Sequence, residues 1–217
     1  MKKNNIYYFS VEGETEKWYL KWLENLVNND SNTKRKITIK CEVQKNPLQY
    51  VKKLNIISKT TIYHLSDYES HEDIHVKQFQ ETMQNMKKAS SQKQIIYKFS
   101  YSNLTFDLWI ILHKANFNCC ISDRKNYISI LNKAYSENFQ NMNEYKHEKN
   151  FKRCLQKLNL DDVVNAIERA KRIMEINKQN NQLCKYCGFT YYKENPALDV
   201  WQPIEKILKD CGFIKNK

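Results

Sequence analysis

The first hundred residues alternate between two hydrophobic patterns, and this alternation limits the folds open to the chain. Short apolar or alternating segments at residues 6–11, 36–43, 60–65 and 94–99 predict strands. Helical patterns lie between them, at residues 14–28, 47–57 and 71–89. Strands separated by helices favour parallel pairing, because each crossover returns the chain to the same end of the sheet. We therefore expect an α/β fold with a mostly parallel, four-stranded, Rossmann-like sheet flanked by helices.

The pattern becomes mainly helical after residue 100. Helices are predicted at residues 106–113, 123–139, 150–158, 161–178 and 196–211, with a loop rich in Asn and Gln at residues 177–182. We expect residues 1–113 to form the α/β core. Residues 114–217 should form a helical C-terminal extension that packs on this core in one compact unit.

The charge balance favours a polyanionic partner. The chain carries 36 Lys and Arg against 24 Asp and Glu, a formal net charge of +12, and such a balance most often indicates nucleic acid. Lys greatly outnumbers Arg and Asn is abundant, which is also typical of an AT-rich genome. The positive charge can therefore be interpreted either as a functional basic surface or as a composition bias. The chain has no apolar run of membrane-spanning length and no apolar N-terminal signal. We expect a soluble cytoplasmic protein that does not contact a membrane.

Acidic residues follow two of the predicted strands. Glu12 comes directly after the first strand, and Asp67 and Glu69 follow the third. The carboxyl ends of parallel strands meet at one edge of the sheet, and Glu16 lies one helical turn beyond Glu12. Clustered carboxylates favour Mg²⁺ or Mn²⁺, and phosphodiester chemistry is typical of such sites. The alternative is that Glu16 is an ordinary N-terminal helix acid and that Asp67 caps a helix.

Three motifs together resemble a known family. They are VEGETE at residues 11–16, DYE at residues 67–69 and SNLTFDLWIILH at residues 102–113. The first two are similar to the Toprim fold, with its strand-end glutamate and later acidic pair. The third resembles the signature of RloB-like proteins, a Toprim-type family found near restriction and phage-defence genes. AIERAK at residues 166–171 and NPALDV at residues 195–200 also resemble that family's C-terminal helices.

The resemblance implies a role for each matching residue. Glu12 is expected to act as a general acid/base or metal ligand, Asp67 and Glu69 as catalytic metal ligands, and Glu16 and Asp107 as ligands of a second ion. Three further residues are expected at the edge of the site as substrate-positioning groups: Ser102, Asn103 and His113. The alternatives are a helix cap for Ser102 and Asn103 and a satisfied core histidine for His113.

The chain departs from the family pattern at three positions. Glu69 replaces the second Asp of the usual Asp-x-Asp pair, Leu104 replaces Pro, and Asp107 replaces Glu. Each acidic change keeps the charge but alters the reach of the carboxylate by one methylene. A site with weakened or lost catalysis therefore stays open beside an active one.

The resemblance implies a metal-dependent nuclease in prokaryotic anti-phage defence. Its expected partners are DNA or RNA, with tRNA as one candidate, an ABC- or SMC-type ATPase encoded nearby, and a second copy in a homodimer. The alternative is a weak or inactive Toprim module that binds nucleic acid or the ATPase through its basic surface. An enzyme acting on nucleotides is a third option, which no Gly-rich phosphate loop supports.

The seven cysteines form an odd set without a secretion signal, so a disulfide framework is not expected. Cys184 and Cys187 have the spacing of half a structural Zn²⁺ site. No second pair has a matching spacing, and buried free thiols are the alternative.

Overall fold

The structure, a computed structural model, describes residues 2–117 and 119–215. Within these residues there are seven strands. They are β1 (Asn4–Val11), β2 (Lys36–Val43), β3 (Thr60–Asp67), β4 (Ile95–Asn103), β5 (Cys184–Tyr186), β6 (Phe189–Tyr191) and β7 (Ala197–Leu198).

The main sheet is mixed. In the described part of the chain it has five strands, in the order β2-β1-β3-β4-β7. The pairs β1–β2, β1–β3 and β3–β4 are parallel, and β7 is antiparallel to β4, with Leu198 opposite Ser102. The predicted four-stranded sheet is therefore corrected to five strands, because two residues of β7 are too few to show a period. β5 and β6 form a separate antiparallel hairpin that the sequence did not predict.

Nine helices lie within the described residues. They are α1 (Glu14–Asn29), α2 (Pro47–Lys53), α3 (Asp73–Gln92), α4 (Asp107–Lys114), α5 (Tyr127–Tyr135), α6 (Met142–Tyr145), α7 (Glu148–Gln156), α8 (Leu160–Asn180) and α9 (Trp201–Cys211). Local signals explain several starts. Asn46 accepts hydrogen bonds from two amides at the start of α2, and Asn159 and Asp162 form a capping box on α8.

The two faces of the sheet pack into separate hydrophobic clusters. Phe9 of β1 and Leu65 of β3 belong to the larger cluster, which also contains the buried side chains of α1, α4, α8 and α9. Ile62 of β3 and Phe99 of β4 belong to the smaller cluster with α3 and Tyr191 of β6. This division follows from the alternation of side chains along a strand.

Three predicted element boundaries are wrong. The helix predicted to residue 57 ends at Lys53, where Leu54 is extended and the Lys93 ammonium donates to the carbonyls of Val51 and Leu54. The loop predicted from residue 177 is helical to Asn180, because buried Asn177 donates to the carbonyls of Ile173 and Pro196. The helix predicted over 196–211 is instead β7 followed by α9.

Further elements of the C-terminal half differ in extent. The helix predicted over 123–139 is a 3₁₀ turn at Arg124–Asn126 followed by α5, which ends at left-handed Ser136. The predicted boundary at residue 113 lies inside α4, and β7 beyond it joins the same sheet as β1–β4.

None of the helices in the part that the structure describes has the length and apolar character needed to cross a membrane.

Candidate functional site

Two carboxylates lie side by side at the carboxyl edge of the sheet. Glu12 directly follows β1, and Asp67 is the last residue of β3. The register of these parallel strands pairs Val11 with Leu65, so Glu12 follows at the level of Ser66, one residue before Asp67. The Ser66 hydroxyl donates a hydrogen bond to Glu12 Oε1 at 2.5 Å, which fixes the glutamate against β3. The strand-end positions therefore bring Glu12 and Asp67 to one place, as the sequence suggested.

Two further carboxylates approach from helix starts. Glu16 lies in the first turn of α1 and is buried, and Asp107 is the first residue of α4 and has no solvent exposure. Thr15 Oγ1 donates to Glu16 Oε2 at 2.7 Å. A Cβ on Gly13 would lie only 3.0 Å from Glu16 Oε2, so a glycine here allows the carboxylate to fold back over the turn.

Lys146 adds a cation that sequence reasoning missed. It directly follows α6, and its Nζ lies 2.9 Å from Asp107 Oδ2. Thr105 Oγ1 also donates to Asp107 Oδ2 at 2.9 Å, whereas Asp107 Oδ1 is buried and has no hydrogen-bond partner among the described residues. No period or motif marks Lys146 among 36 basic residues, so only the fold reveals it.

Burial and mutual repulsion disfavour the ionised forms of three of these acids. Burial raises the pKa of Glu12 to about 7, and the nearby Glu16 adds to this rise against the opposing hydrogen bond from Ser66. Burial, Glu16 and Glu12 raise the pKa of Asp67 well above its ordinary value. Burial and Asp107 also raise the pKa of Glu16, while Lys146 lowers it. The site thus brings together carboxyl groups whose ionised forms are poorly solvated by their surroundings.

Glu12 and Asp67 open onto a cavity of about 280 Å³. Its other walls are mostly polar side chains from the segment before α2, the end of β3 and α3: Lys45, Asn46, Ser66, Glu69, His75, Gln78, Glu81, Thr82 and Asn85. Glu69 faces the cavity but pairs with His75 Nε2 and Arg124 Nη1, each at 3.6 Å. The strongest carboxylate neighbours of Asp67 are Glu16 and Glu12 rather than Glu69.

The three predicted positioning residues are all buried. Ser102 lies opposite Asp67 on β4, and its hydroxyl has no hydrogen-bond partner in the described part. Asn103 donates to the Lys193 carbonyl at 2.6 Å, and no side chain caps α4. His113 bonds the Trp109 carbonyl through Nδ1 and the Tyr19 hydroxyl through Nε2, at 2.9 and 3.1 Å. Burial lowers the pKa of His113 to about 4, so it lies in the core as a neutral imidazole.

The donor chemistry at this edge fits a hard divalent cation. Carboxylate oxygens are the preferred ligands of Mg²⁺ and Mn²⁺. No three His, Cys, Asp or Glu side chains in residues 2–117 and 119–215 form a ready-made ligand group. Mg²⁺, however, commonly uses one or two carboxylates and completes its shell with water and substrate phosphate. Glu12 and Asp67, facing one cavity, meet that smaller requirement.

The two predicted zinc ligands lie on the β5–β6 hairpin. Cys184 begins β5, and Cys187 occupies the turn with positive φ beside Gly188. Both are partly buried against the smaller hydrophobic cluster and both are free thiols. Within the described ranges no third ligand joins them, so the zinc site stays a prediction.

The fold and the site together define a class: α/β proteins that gather carboxylates at the carboxyl edge of parallel strands. Within this class, the chain belongs to the RloB-like protein family, whose family model matches residues 7–207. This confirms the family resemblance of the sequence motifs. No curated protein and no solved structure shows significant similarity to the chain.

Proposed function

We propose that this protein is a metal-dependent nuclease of Toprim type that cleaves nucleic-acid phosphodiesters. The observation that carries the proposal is the placement of Glu12 and Asp67 at adjacent strand ends, facing one polar cavity. A bound Mg²⁺ or Mn²⁺ would stabilise the charge that develops on the attacking and leaving oxygens. Glu12 and Asp67 would hold this ion, and Glu69 lines the cavity beside them.

The ionisation of Glu12 supports a role in proton transfer. Its pKa of about 7 lies near neutral pH. The carboxyl group can therefore act as a general acid or base, or it can lose its proton and bind the ion beside Asp67. The Ser66 hydroxyl orients Oε1. Lys45 and His75 line the same cavity and offer donors for phosphate oxygens, and the net charge of +12 favours a polyanionic substrate.

The alternative function is a weak or inactive module that binds nucleic acid or a defence ATPase. Two observations favour it: the described residues contain no ready-made three-ligand group, and Lys146 already neutralises Asp107.

The prokaryotic anti-phage role and an ABC- or SMC-type ATPase partner follow from the family resemblance. Co-purification with neighbouring gene products tests that partnership.

A cleavage assay distinguishes the two functions. The purified chain is incubated with Mn²⁺ and with plasmid DNA, single-stranded DNA or total tRNA. We expect wild type and Glu14→Gln to cut at least one substrate, because exposed Glu14 pairs with Lys17 at 3.5 Å and lies outside the site. Glu12→Gln should lose the activity by at least ~100-fold, as expected when a general acid or base is removed.

Equal cutting by wild type and Glu12→Gln would overturn the nuclease assignment. If no variant cuts but nucleic acid binds with a steep salt dependence, the binding-module function is correct.

A further inference from the structure

The site has a cavity side and a buried side, which Glu12 and Asp107 respectively occupy. Glu12 lies on the cavity side, where Lys45 also lines the cavity and lowers the pKa of Glu12. Asp107 lies on the buried side, where Lys146 is the ion-pair partner. Asp67 lies between the two sides, since it lines the cavity and also feels the charge of Lys146. The cation on the buried side therefore belongs to the protein itself.

The backbone beside Lys146 is firmly anchored. Tyr145 has no solvent exposure and packs against Phe139 and Phe151, with ring centroids 5.7 and 5.6 Å away. The Lys146 amide donates to the Met142 carbonyl at 2.9 Å. The side chain is 37% exposed, so it reaches from the surface to an aspartate side chain that is only 1% exposed. The anchored backbone thus holds the Lys146 ammonium beside the buried Asp107 carboxylate.

The Lys146 ammonium would compete with a metal ion for the same oxygens. It contacts Asp107 Oδ2, and its charge favours the ionised forms of both Glu16 and Asp67. A divalent ion bound by these carboxylates would be repelled by an ammonium a few ångströms away. Asp107 Oδ1, buried and without a partner in the described part, is the oxygen left for such an ion once Lys146 is removed.

We propose that Lys146 takes the place of a second divalent cation, so that this site binds one ion at Glu12 and Asp67. This inference rests on the proposed function, because it assumes a cation on the cavity side. It assigns Lys146 a positioning role: the lysine holds Asp107 through an ion pair and favours the ionised form of Glu16 through its charge. Lys146 carries three donors and no acceptor, so it neutralises carboxylates without activating a water as a metal would.

Metal stoichiometry tests the proposal. Mn²⁺ is titrated into the full chain, with bound ions counted by native mass spectrometry and calorimetry. We expect one ion for wild type and two for Lys146→Met, which keeps an unbranched side chain one atom shorter and removes its charge. Lys146→Arg should bind one ion because the charge remains. Lys149→Met, at an exposed position on α7, is the matched control and should also bind one.

Each outcome decides the proposal. Two ions in wild type, or one in a folded Lys146→Met, overturns the role of Lys146 and leaves the nuclease assignment standing. No ion in any variant at millimolar Mn²⁺ overturns this role together with the metal dependence. Where Lys146→Met fails to fold, Lys146→Gln removes the same charge and replaces it in the comparison, and a wild-type count of two still overturns the role of Lys146. The circular dichroism spectrum of each variant reports its folding.

Discussion

Asp199 offers a direct test of how burial acts on a single carboxyl group. It directly follows β7 and is only 8% exposed. Its Oδ1 accepts from the Tyr101 amide at 2.7 Å, and its own amide donates to the Tyr101 carbonyl at 3.0 Å. This pair of bonds fixes β7 to β4, beside Ser102. The perturbation is Asp199→Asn, which keeps the acceptor for Tyr101 and removes the charge.

The magnitude follows from the pKa of Asp199. Burial raises it to about 7, against about 3.9 for an exposed aspartate in the unfolded chain. The folded state therefore binds the proton more tightly. The contribution of Asp199 to stability is greatest below pH ~4 and declines as the pH rises to ~7, by ~4 kcal/mol in all. About 2–3 kcal/mol of this loss falls between pH 5 and pH 8.

The assay is urea unfolding at pH 5, 6.5 and 8, followed by the fluorescence of the four tryptophans. Asp199→Asn does not titrate, so its free energy of unfolding should improve relative to wild type by about 2–3 kcal/mol from pH 5 to pH 8. Glu175→Gln, at an exposed position on α8, should follow the wild-type profile. If the free energies of unfolding of wild type and Asp199→Asn changed with pH in parallel, the reasoning would be refuted. The Asp199 carboxyl group would then have the same pKa in the folded and the unfolded chain.

The remaining predictions concern stability: two glycines with positive φ, and a tyrosine that accepts a hydrogen bond from a backbone amide. Gly212→Ala should lower the free energy of unfolding by about 1 kcal/mol or more, because Gly212 closes α9 with a φ of +87° and a Cβ would come within 2.5 Å of Lys34 Cδ. Gly188→Ala, with a φ of +92° and open space around it, isolates the backbone cost, and an equal loss in both variants would exclude a steric contribution from Lys34. Tyr101→Phe should cost about 1–3 kcal/mol in urea unfolding, because it removes the acceptor for the Tyr192 amide at 2.8 Å. Unchanged stability of Tyr101→Phe would show that this hydrogen bond contributes nothing net.

The elements long enough to show several repeats of a hydrophobic pattern were predictable from the sequence. β2 spans the predicted residues 36–43, and α1 begins at the predicted Glu14. Elements fixed by tertiary contacts were not. β7 has two residues and is placed by Asp199 and Tyr101, far apart in sequence. The β5–β6 hairpin has three residues in each strand, joined by a tight turn at Cys187, and is too short to show an alternation.

The site was predictable to the extent that it follows strand ends. Glu12 and Asp67 are placed by the ends of β1 and β3, and Glu16 by the turn of α1 that follows. Asp107 came from the family signature, since no spacing rule links α4 to the sheet edge. Lys146 lies in an irregular segment, and its pairing with Asp107 depends on how α6 packs. Such a contact between distant parts of the chain leaves no periodic signal in a single sequence.

The contrast between this site and the other acids of the protein is the strongest physical argument for function. Two acids outside the site, unlike buried Asp199, are matched by cations. Arg153 and Lys157 hold the pKa of Glu137 at about 2. Partial burial raises the pKa of Glu205, yet Lys171 and Lys209 bring it below its ordinary value. At the sheet edge, Asp107, Glu16 and Asp67 share Lys146, and the pKa values of Glu16 and Asp67 stay raised. A fold that pairs other acids this well would gain stability by losing the buried charges of the site. Their presence supports the proposal that a cationic ligand offsets them when it binds.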